Sequence, residues 1–256
     1  MAVIDLHSHI LPGLDDGARN LEEAIEIARS MADDGVGVVS ATPHVRDDYP
    51  TSPDAMEAAL GLVRSAVAEA GIALDVRGGG EIALDRLGSL ADDSLARFGL
   101  GGNPRLLLLE YPYHGRPLGL EHECARLRQR GIVTVIAHPE RNLSVQERPG
   151  DLEEVVRAGA VVQLTAASVD GRLGRASAGC ARRLLELELA HLIASDAHAA
   201  GVREAGMSQA AAAVGGGELA RWLTSDVPAA LLEGDELPAR PAGLRRRGGL
   251  LGRLRR

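Results

Sequence analysis

This chain of 256 residues contains no lysine, so its 28 cationic side chains are all arginine. The 36 acidic residues outnumber them and give a formal charge of −8. Nucleic-acid-binding proteins hold phosphate backbones with clustered Lys and Arg, so this balance argues against a nucleic-acid partner. The two cysteines, Cys124 and Cys180, are too few for a disulfide framework and favour a reducing compartment.

Long hydrophobic runs are also missing. No apolar run approaches the ~18 residues of a membrane span, and the first residues lack the pattern of a secretion signal. We therefore expect a cytoplasmic protein without a transmembrane segment. Aromatic residues make up only 2% of the chain and hydrophobic residues 45%, so aliphatic side chains must fill the core.

Short apolar runs alternate with stretches of helical periodicity along most of the chain. The runs are AVIDL, VGVVSA, IALDV, RLLLLE, IVTVIA, AVVQL and HLIAS. The helices are predicted near residues 20–34, 52–71, 83–96, 117–130, 151–159, 174–189 and 206–223, with Asn20 and Ser52-Pro53 beginning the first two. About seven strand–helix units without a dividing linker predict a single α/β domain with a parallel sheet or barrel.

The alternation ends near Gly234. Residues 234–256 mix Pro, Gly and Arg, which predicts a flexible tail and leaves residues 1–233 as the barrel domain. Six arginines, at positions 245–247, 253, 255 and 256, lie in the last twelve residues. Two interpretations remain open: peripheral contact with an anionic membrane or an acidic partner, or a solvated disordered end.

Metal-binding side chains follow six of the seven predicted strands. In chain order they are His7 and His9, His44, Glu81, Glu110, His138, and Asp196 with His198. The carboxyl ends of parallel strands meet at one end of a barrel, so we expect these side chains to converge. Histidines two residues apart on a strand, such as His7 and His9, point to the same side and can reach one ion.

The donor types indicate the chemistry. Imidazole and carboxylate groups without cysteine suit zinc, manganese or iron, and the donors are too many for one ion, which predicts two or three. Such clusters hold phosphoryl oxygens and lower the pKa of a bridging water. Arg141, three residues after His138, would add paired donors for a phosphate group.

Other histidines and one cysteine fall outside this pattern. We expect His122 and His191 to be structural, whereas His114 either lines the mouth of the site or lies elsewhere on the surface. Cys124 and Arg130 have the Cys-x5-Arg spacing of thiol-dependent tyrosine phosphatases. The residues between them are helix formers, and that chemistry needs a glycine-rich loop around the phosphate, so we expect no cysteine catalysis.

Six stretches carry a resemblance to a known family: DLHSHILPGLDDGA, ATPHV, GGGEIAL, IAHPERN, QLTAASVDGRLGRAS and IASDAH. With them, roughly residues 3–232 resemble the polymerase and histidinol phosphatase (PHP) superfamily. Within it, DDGA, HPERN and LTAASVDGRLGR are similar to the manganese-dependent bacterial protein tyrosine phosphatases of capsule and exopolysaccharide loci. The resemblance implies a distorted (β/α)7 barrel.

The resemblance also implies a trinuclear site holding divalent metal ions, Mn²⁺ first and Fe or Zn as alternatives. One ion would take His7, His9, Glu81 and Asp196; a second Glu81, Glu110 and His138; a third Asp16, His44 and His198. Glu81 would bridge two of them. The family pattern favours Asp16 over the adjacent Asp15.

By the same resemblance, a metal-bridged hydroxide attacks a phosphotyrosine, Arg141 binds the phosphate, and His138 and Asp196 are essential for turnover. We expect Arg46 and Tyr113 to contact the substrate. The alternative for both, and for the nearby Tyr49 and Tyr111, is that they only cover the barrel mouth. The expected partner is a bacterial tyrosine autokinase, and oligomerisation stays open. Alternatives are a phosphatase of a small phosphomonoester such as histidinol phosphate, or a non-catalytic metal-binding regulator.

Overall fold

The computed structural model describes residues 2–199 and 204–241. Every strand pairing in it is parallel. The strands are β1 (Val3–Ser8), β2 (Val36–Ala41), β3 (His44–Val45), β4 (Asp75–Arg77), β5 (Glu81–Ala83), β6 (Leu106–Glu110), β7 (Val133–Ala137), β8 (Val161–Thr165) and β9 (Leu192–Ala194). They form a three-stranded sheet, β1-β2-β4, and a six-stranded sheet, β3-β5-β6-β7-β8-β9.

The two sheets are parts of one barrel wall. β2 and β3 are consecutive pieces of one strand interrupted at residues 42–43, and β4 and β5 are pieces of another interrupted at residues 78–80. Counting each interrupted strand once, the nine pieces make seven strands. The wall closes where the Asp196 amide donates to the His7 carbonyl (2.9 Å) and the His9 amide to the Ala197 carbonyl (2.8 Å). The predicted distorted seven-stranded α/β barrel is confirmed.

Helices follow most of the strands and pack against the wall. They are α1 (Leu21–Asp33), α2 (Pro53–Glu69), α3 (Asp92–Arg97), α4 (Leu120–Gln129), α5 (Leu143–Glu147), α6 (Glu153–Arg157), α7 (Ala166–Val169), α8 (Arg175–Glu186), α9 (Met207–Ala213), α10 (Gly217–Arg221) and α11 (Val227–Glu233). The predicted starts of α1 and α2 are confirmed, because the side chains of Asn20 and Ser52 accept hydrogen bonds from backbone amides in the first turn. None of the helices in the described parts of the chain combines the length and apolar character that a membrane crossing requires.

The helix predicted over residues 83–96 is wrong. Ala83 is the last residue of β5, a short 3₁₀ turn follows at residues 87–89, and α3 begins only at Asp92. Pairing of β5 with β6 places Ala83 in the barrel wall. The stretch that follows contains Gly88, and glycine is a poor helix former. The helices α5, α7 and α11 were not predicted, and α5 and α7 are elements of about one turn, which carry no measurable periodicity. The single helix predicted over residues 206–223 is divided into α9 and α10.

Three consecutive glycines, at residues 78–80, allow the strand made of β4 and β5 to bend immediately before Glu81. A Cβ on Gly80 would lie 2.7 Å from Phe98 Cδ1, and one on Gly78 would lie 2.9 Å from Leu60 Cδ2. Phe98 is fully buried, so it has no room to move away. Glycine is therefore the residue that lets the wall approach these side chains closely.

Residues 234–241 contain no helix or strand, yet they contact the barrel. The Trp222 indole N–H donates to the Pro238 carbonyl at 3.0 Å, and the Arg240 guanidinium lies 4.9 Å from the centre of the Trp222 ring. The last helix, α11, ends at Glu233, and the domain boundary at this residue stays a prediction. The arginines at 245–247, 253, 255 and 256, on which the membrane interpretation rests, lie outside the described residues.

The loop between β1 and α1 folds back on His9. The Ala18 amide donates to the His9 carbonyl at 3.0 Å, and the buried Gly17 packs directly on His9. A Cβ on Gly17 would lie 2.5 Å from His9 Cβ and closer still to the His9 carbonyl oxygen. Both atoms belong to His9, directly after β1, and its amide is hydrogen-bonded to the Ala197 carbonyl, so neither yields easily.

We expect Gly17→Ala to destabilise the protein by about 1–3 kcal/mol, because the added methyl group overpacks the β1–α1 loop. The matched control is Gly61→Ala on α2, where nothing lies within 4 Å of the new Cβ. In a helix interior that change should add about 0.5–1 kcal/mol of stability. Denaturant unfolding of the two variants measures both effects, and equal stability of Gly17→Ala and the unsubstituted protein would contradict the proposed steric conflict.

Candidate active site

The Glu81 carboxylate lies at the centre of a cluster of histidines. It is fully buried. His138 Nε2 is 2.7 Å away, His44 Nδ1 2.8 Å, His7 Nε2 3.4 Å and His9 Nε2 3.5 Å. Four imidazoles thus meet at one carboxylate: His7 and His9 from the end of β1, His44 from β3 and His138 from the turn after β7.

The nine predicted ligands all lie in four overlapping groups whose donor atoms are within 4.8 Å of one another. The groups are His9, Asp16, His44 and His198; His7, Glu81 and His138; His7, His9 and Asp196; and His44, Glu81 and Glu110. The structure therefore brings every one of these side chains together. The groups differ from the predicted division among three ions, since Glu110 and His138 do not share one, so that division stays a prediction.

The two adjacent aspartates of the β1–α1 loop have different positions. Asp15 Oδ2 lies 2.7 Å from His9 Nδ1 and accepts the His44 amide at 3.0 Å, so this carboxylate faces away from the cluster and supports two of its histidines. Asp16 Oδ1 lies 3.2 Å from His198 Nε2 and 3.5 Å from His44 Nε2. The geometry therefore agrees with Asp16 as the candidate ligand.

A supporting residue that the sequence analysis missed is Gln163 on β8. It is fully buried, and its Oε1 lies 3.0 Å from His7 Nδ1. When Nδ1–H donates to this oxygen, Nε2 is left without a proton and faces Glu81 and Asp196. The sequence feature that could have identified Gln163 is its place within the apolar run AVVQL, because a buried polar side chain needs a hydrogen-bond partner.

Two further buried carboxylates hold the strand ends. Asp5 Oδ1 accepts the Ser195 amide at 2.9 Å and so links β1 to the residues after β9. Burial raises the pKa of Asp5 to about 6. Glu140 Oε1 accepts the Thr165 amide at 3.0 Å, which ties the turn after β7 to the end of β8. Neither carboxylate was singled out from the sequence.

The backbone is strained at two of the predicted catalytic residues. His138 and Asp196 have φ angles of 37° and 54°, and they are two of three non-glycine residues with positive φ among those described. The left-handed conformation costs about 1–2 kcal/mol for a residue with a Cβ atom. Such strain is kept only where the surroundings impose it, and it aims both side chains into the cluster.

Arg141 is held between a carboxylate and an aromatic ring. Its guanidinium donates to Asp196, and Cζ lies 4.9 Å from the centre of the Tyr113 ring. Tyr113 stacks on His138 with ring centres 6.0 Å apart and an interplanar angle of 7°. The ring contacts limit the motion of both the arginine and the histidine.

Arg46 repeats this arrangement at Glu110. It donates to Glu110 at 2.9 Å and lies 5.2 Å from the centre of the Tyr49 ring. Tyr49 in turn stacks on His44, with ring centres 5.7 Å apart. Tyr111, by contrast, is buried in the core and does not line the rim, and burial raises its pKa to about 12.

The charges of the cluster are strongly coupled. Burial alone would raise the pKa values of Glu81 and Asp196, but the surrounding histidines outweigh it and hold both pKa values well below the usual range. Burial likewise opposes protonation of His44, yet the carboxylates of Asp16 and Glu81 raise its pKa to about 9. The pKa of Glu110 is raised by burial and by the nearby charge of Glu81.

Unsatisfied atoms in this cluster fit a bound metal. The buried atoms His44 Nδ1, Glu81 Oε2 and His138 Nδ1 have no hydrogen-bond partner of acceptable geometry, although the first two are 2.8 Å apart. Buried polar atoms are otherwise almost always paired. Together with a donor set of imidazoles and carboxylates, they match what divalent transition metals require.

Three further histidines and Cys124 lie outside the metal-binding cluster. His122 is exposed on α4 beside Glu121, and His191 Nδ1 accepts the Val162 amide at 3.2 Å. Both are therefore outside the cluster, whereas His114 lines a cleft next to it. Cys124 is buried within α4, and burial raises the pKa of its thiol. The Cys-x5-Arg spacing thus begins in a helix.

Comparison with known proteins assigns the family. Residues 3–232 match the family model for capsular polysaccharide synthesis, CpsB/CapC. The chain belongs to this family. It is 36% identical to the tyrosine-protein phosphatase YwqE of Bacillus subtilis over 77% of each chain, and 30% identical to the putative tyrosine-protein phosphatase CapC of Staphylococcus aureus, also over 77% of each.

Solved structures agree with this assignment. A crystal structure from a study of YwqE of Bacillus subtilis and CpsB of Streptococcus pneumoniae, described as metal-dependent tyrosine phosphatases, superposes with a TM-score of 0.85. It is 31% identical, and the match covers 95% of this chain and 100% of that one. A lactonase from Listeria monocytogenes, 14% identical with a TM-score of 0.53, shares the fold alone.

We expect Gln163→Met in this CpsB/CapC member to lower metal affinity by about 10–100-fold, because His7 loses the acceptor that orients its ring. Competition with a chromophoric chelator measures the affinity. The conservative control is Gln163→Glu, which keeps an acceptor oxygen and should retain most of the affinity. Unchanged metal binding in Gln163→Met would show that His7 is oriented by other contacts.

Metal binding should release protons at neutral pH and become stronger as the pH rises toward about 9, because the apo-state pKa of His44 is about 9 and only neutral imidazole binds metal. Calorimetric titration in buffers of different ionisation enthalpy counts the protons.

His44→Gln should remove about one of these protons. The matched variant His191→Gln should not change the count, because burial lowers the pKa of His191 to about 4 and this histidine is already neutral. A proton count that is the same in His44→Gln as in the unsubstituted protein would contradict the assigned protonation state.

Proposed function

We propose that this protein is a metal-dependent protein-tyrosine phosphatase whose substrate is a bacterial tyrosine autokinase of capsule or exopolysaccharide synthesis. The observation that carries the proposal is the convergence of nine metal-binding side chains beside Arg141 at one end of the barrel. The identity of 36% to a tyrosine-protein phosphatase supports it, as does the close structural match to metal-dependent members of that class.

The nine ligands would hold two or three divalent ions, with Mn²⁺ proposed first and Fe or Zn as alternatives. Bound there, such ions neutralise charge on phosphoryl oxygens and lower the pKa of water toward neutrality. The chain itself supplies the positioning. Arg141 presents its guanidinium at the edge of the cluster, and Tyr113 keeps it in place for a phosphate group.

Arg46 supplies a second cation next to Glu110. Both arginines are partly exposed, 26% for the Arg46 side chain and 16% for that of Arg141, whereas the histidines between them are buried. A phosphate group entering from solvent would therefore meet these guanidinium groups first. We propose that Arg46 and Arg141 bind the phosphate of the substrate, with Tyr113 beside them.

The proposed compartment is the cytoplasm, where the phosphorylated tyrosines of such a kinase would be reached. Cys124 and Cys180 are both free and buried, which suits a reducing environment.

The proposal predicts that His138→Ala or Asp196→Ala abolishes release of phosphate from a phosphotyrosine peptide, with a loss of at least about 10³-fold, because each change removes a donor and its buried charge. A chelator should silence the unsubstituted enzyme, and added Mn²⁺ should restore it. Phosphate release from the peptide and from the phosphorylated kinase is the measurement.

Cys124→Ser is the matched control and should leave turnover unchanged, because the thiol lies in a helix away from the cluster. Hydrolysis of histidinol phosphate at a higher kcat/KM than the phosphotyrosine peptide would favour a small-molecule phosphatase. Metal binding without turnover of either compound would favour a regulatory protein.

A further inference from the structure

A cleft of about 460 Å³ opens beside the metal cluster. Its inner wall contains Arg46, Glu110 and Tyr113. Glu110 is one of the candidate ligands, and Tyr113 stacks on His138. Any group in this cleft therefore lies next to a phosphate bound at the cluster.

The other walls of this cleft are mostly apolar, although Asp85 and His114 also line it. Ala83 and Leu84, at and just after the end of β5, form one side, and Pro112 and Pro117, from the segment after β6, form the other. Leu84 is only partly buried, so its side chain is accessible from the cleft. A volume of this size exceeds that of one aromatic ring and falls in the range of about 300–1,000 Å³ that is typical of ligand sites.

Exposed apolar side chains continue this surface beyond the cleft. Leu118, next to Pro117, is 95% exposed, and Leu143, whose amide donates to the Tyr113 carbonyl, is 55% exposed. Six large apolar side chains are exposed in the described parts of the chain, and Tyr113, Leu118 and Leu143 make up half of them. Exposed apolar groups concentrated in one region mark interaction sites.

The opposite side of the cluster is polar. A second cleft, of about 400 Å³, is lined by Asp16, Arg19, Glu23 and Glu26 among others. A phosphotyrosine in a polypeptide has neighbours on both sides, and these must leave the cluster along the surface. The two exits differ: the first has more apolar lining residues, and the second has three carboxylates and Arg19.

We propose that the apolar cleft binds an apolar side chain that neighbours the phosphotyrosine in the substrate, and that the enzyme thereby selects its phosphorylation sites. The proposal rests on the protein-tyrosine phosphatase function. Leu84 is the residue that determines this preference, since its side chain is part of the apolar lining and is not one of the candidate metal ligands.

The test uses two phosphotyrosine peptides that differ only in a leucine or an aspartate beside the phosphotyrosine, placed in turn on each side. We expect the unsubstituted holoenzyme to prefer leucine by about tenfold in kcat/KM on one side, from the apolar area buried. Leu84→Asp should abolish that preference, and the milder Leu84→Ala should reduce it. Leu62→Asp, on an exposed leucine of α2, is the matched control and should keep it.

Two results would overturn the proposal. One is equal turnover of the leucine and aspartate peptides by the unsubstituted enzyme in both positions. The other is a loss in Leu84→Asp that is as large for 4-nitrophenyl phosphate as for the leucine peptide, which would place the tyrosyl ring itself in the cleft. Failure of the unsubstituted enzyme to hydrolyse any of these phosphotyrosine peptides would instead refute the phosphatase function.

Discussion

The burial of one carboxylate, that of Glu81, governs the structure around the site. An isolated carboxylate without contact to water is strongly unfavourable unless positive charge or a metal compensates it. Here His7, His44 and His138 supply that compensation from three different parts of the chain. Each strand end must therefore be placed accurately for the cluster to be stable. The buried nitrogen and oxygen atoms that lack a hydrogen-bond partner suit the cluster to binding metal ions.

The surrounding residues serve this placement. Gln163 and Asp15 orient His7 and His9 through the ring nitrogens that face away from the cluster. Asp5 joins the first strand to the last, so the closure of the barrel and the geometry of the site depend on the same contacts. The left-handed backbone of His138 and Asp196 is a cost that these contacts offset. Rigidity at this end of the barrel is consistent with electrostatic catalysis, in which groups are positioned before the substrate arrives.

Most of the regular structure was predictable from the chain. All seven strands appear where apolar runs stand, because a strand buried on both faces must be apolar throughout. The caps at Asn20 and Ser52 were equally predictable, since local hydrogen bonds determine them. The absence of β3 and β5 from the prediction has one cause. These short segments become strands only through pairing with neighbours, which local sequence does not encode.

The chemical types in the site were predictable from the residues alone: five histidines and four carboxylates, nearly all directly after apolar runs, because parallel strands bring such positions together. Which atoms face one another depends on the packing of the folded chain. It turned Asp16 toward the cluster and Asp15 toward His9, and placed Gln163 behind His7. It also buried Tyr111 and left Tyr113 partly exposed. These side-chain orientations depend on distances between segments far apart in the chain. Such distances are set by packing and strand register, which local sequence does not reveal.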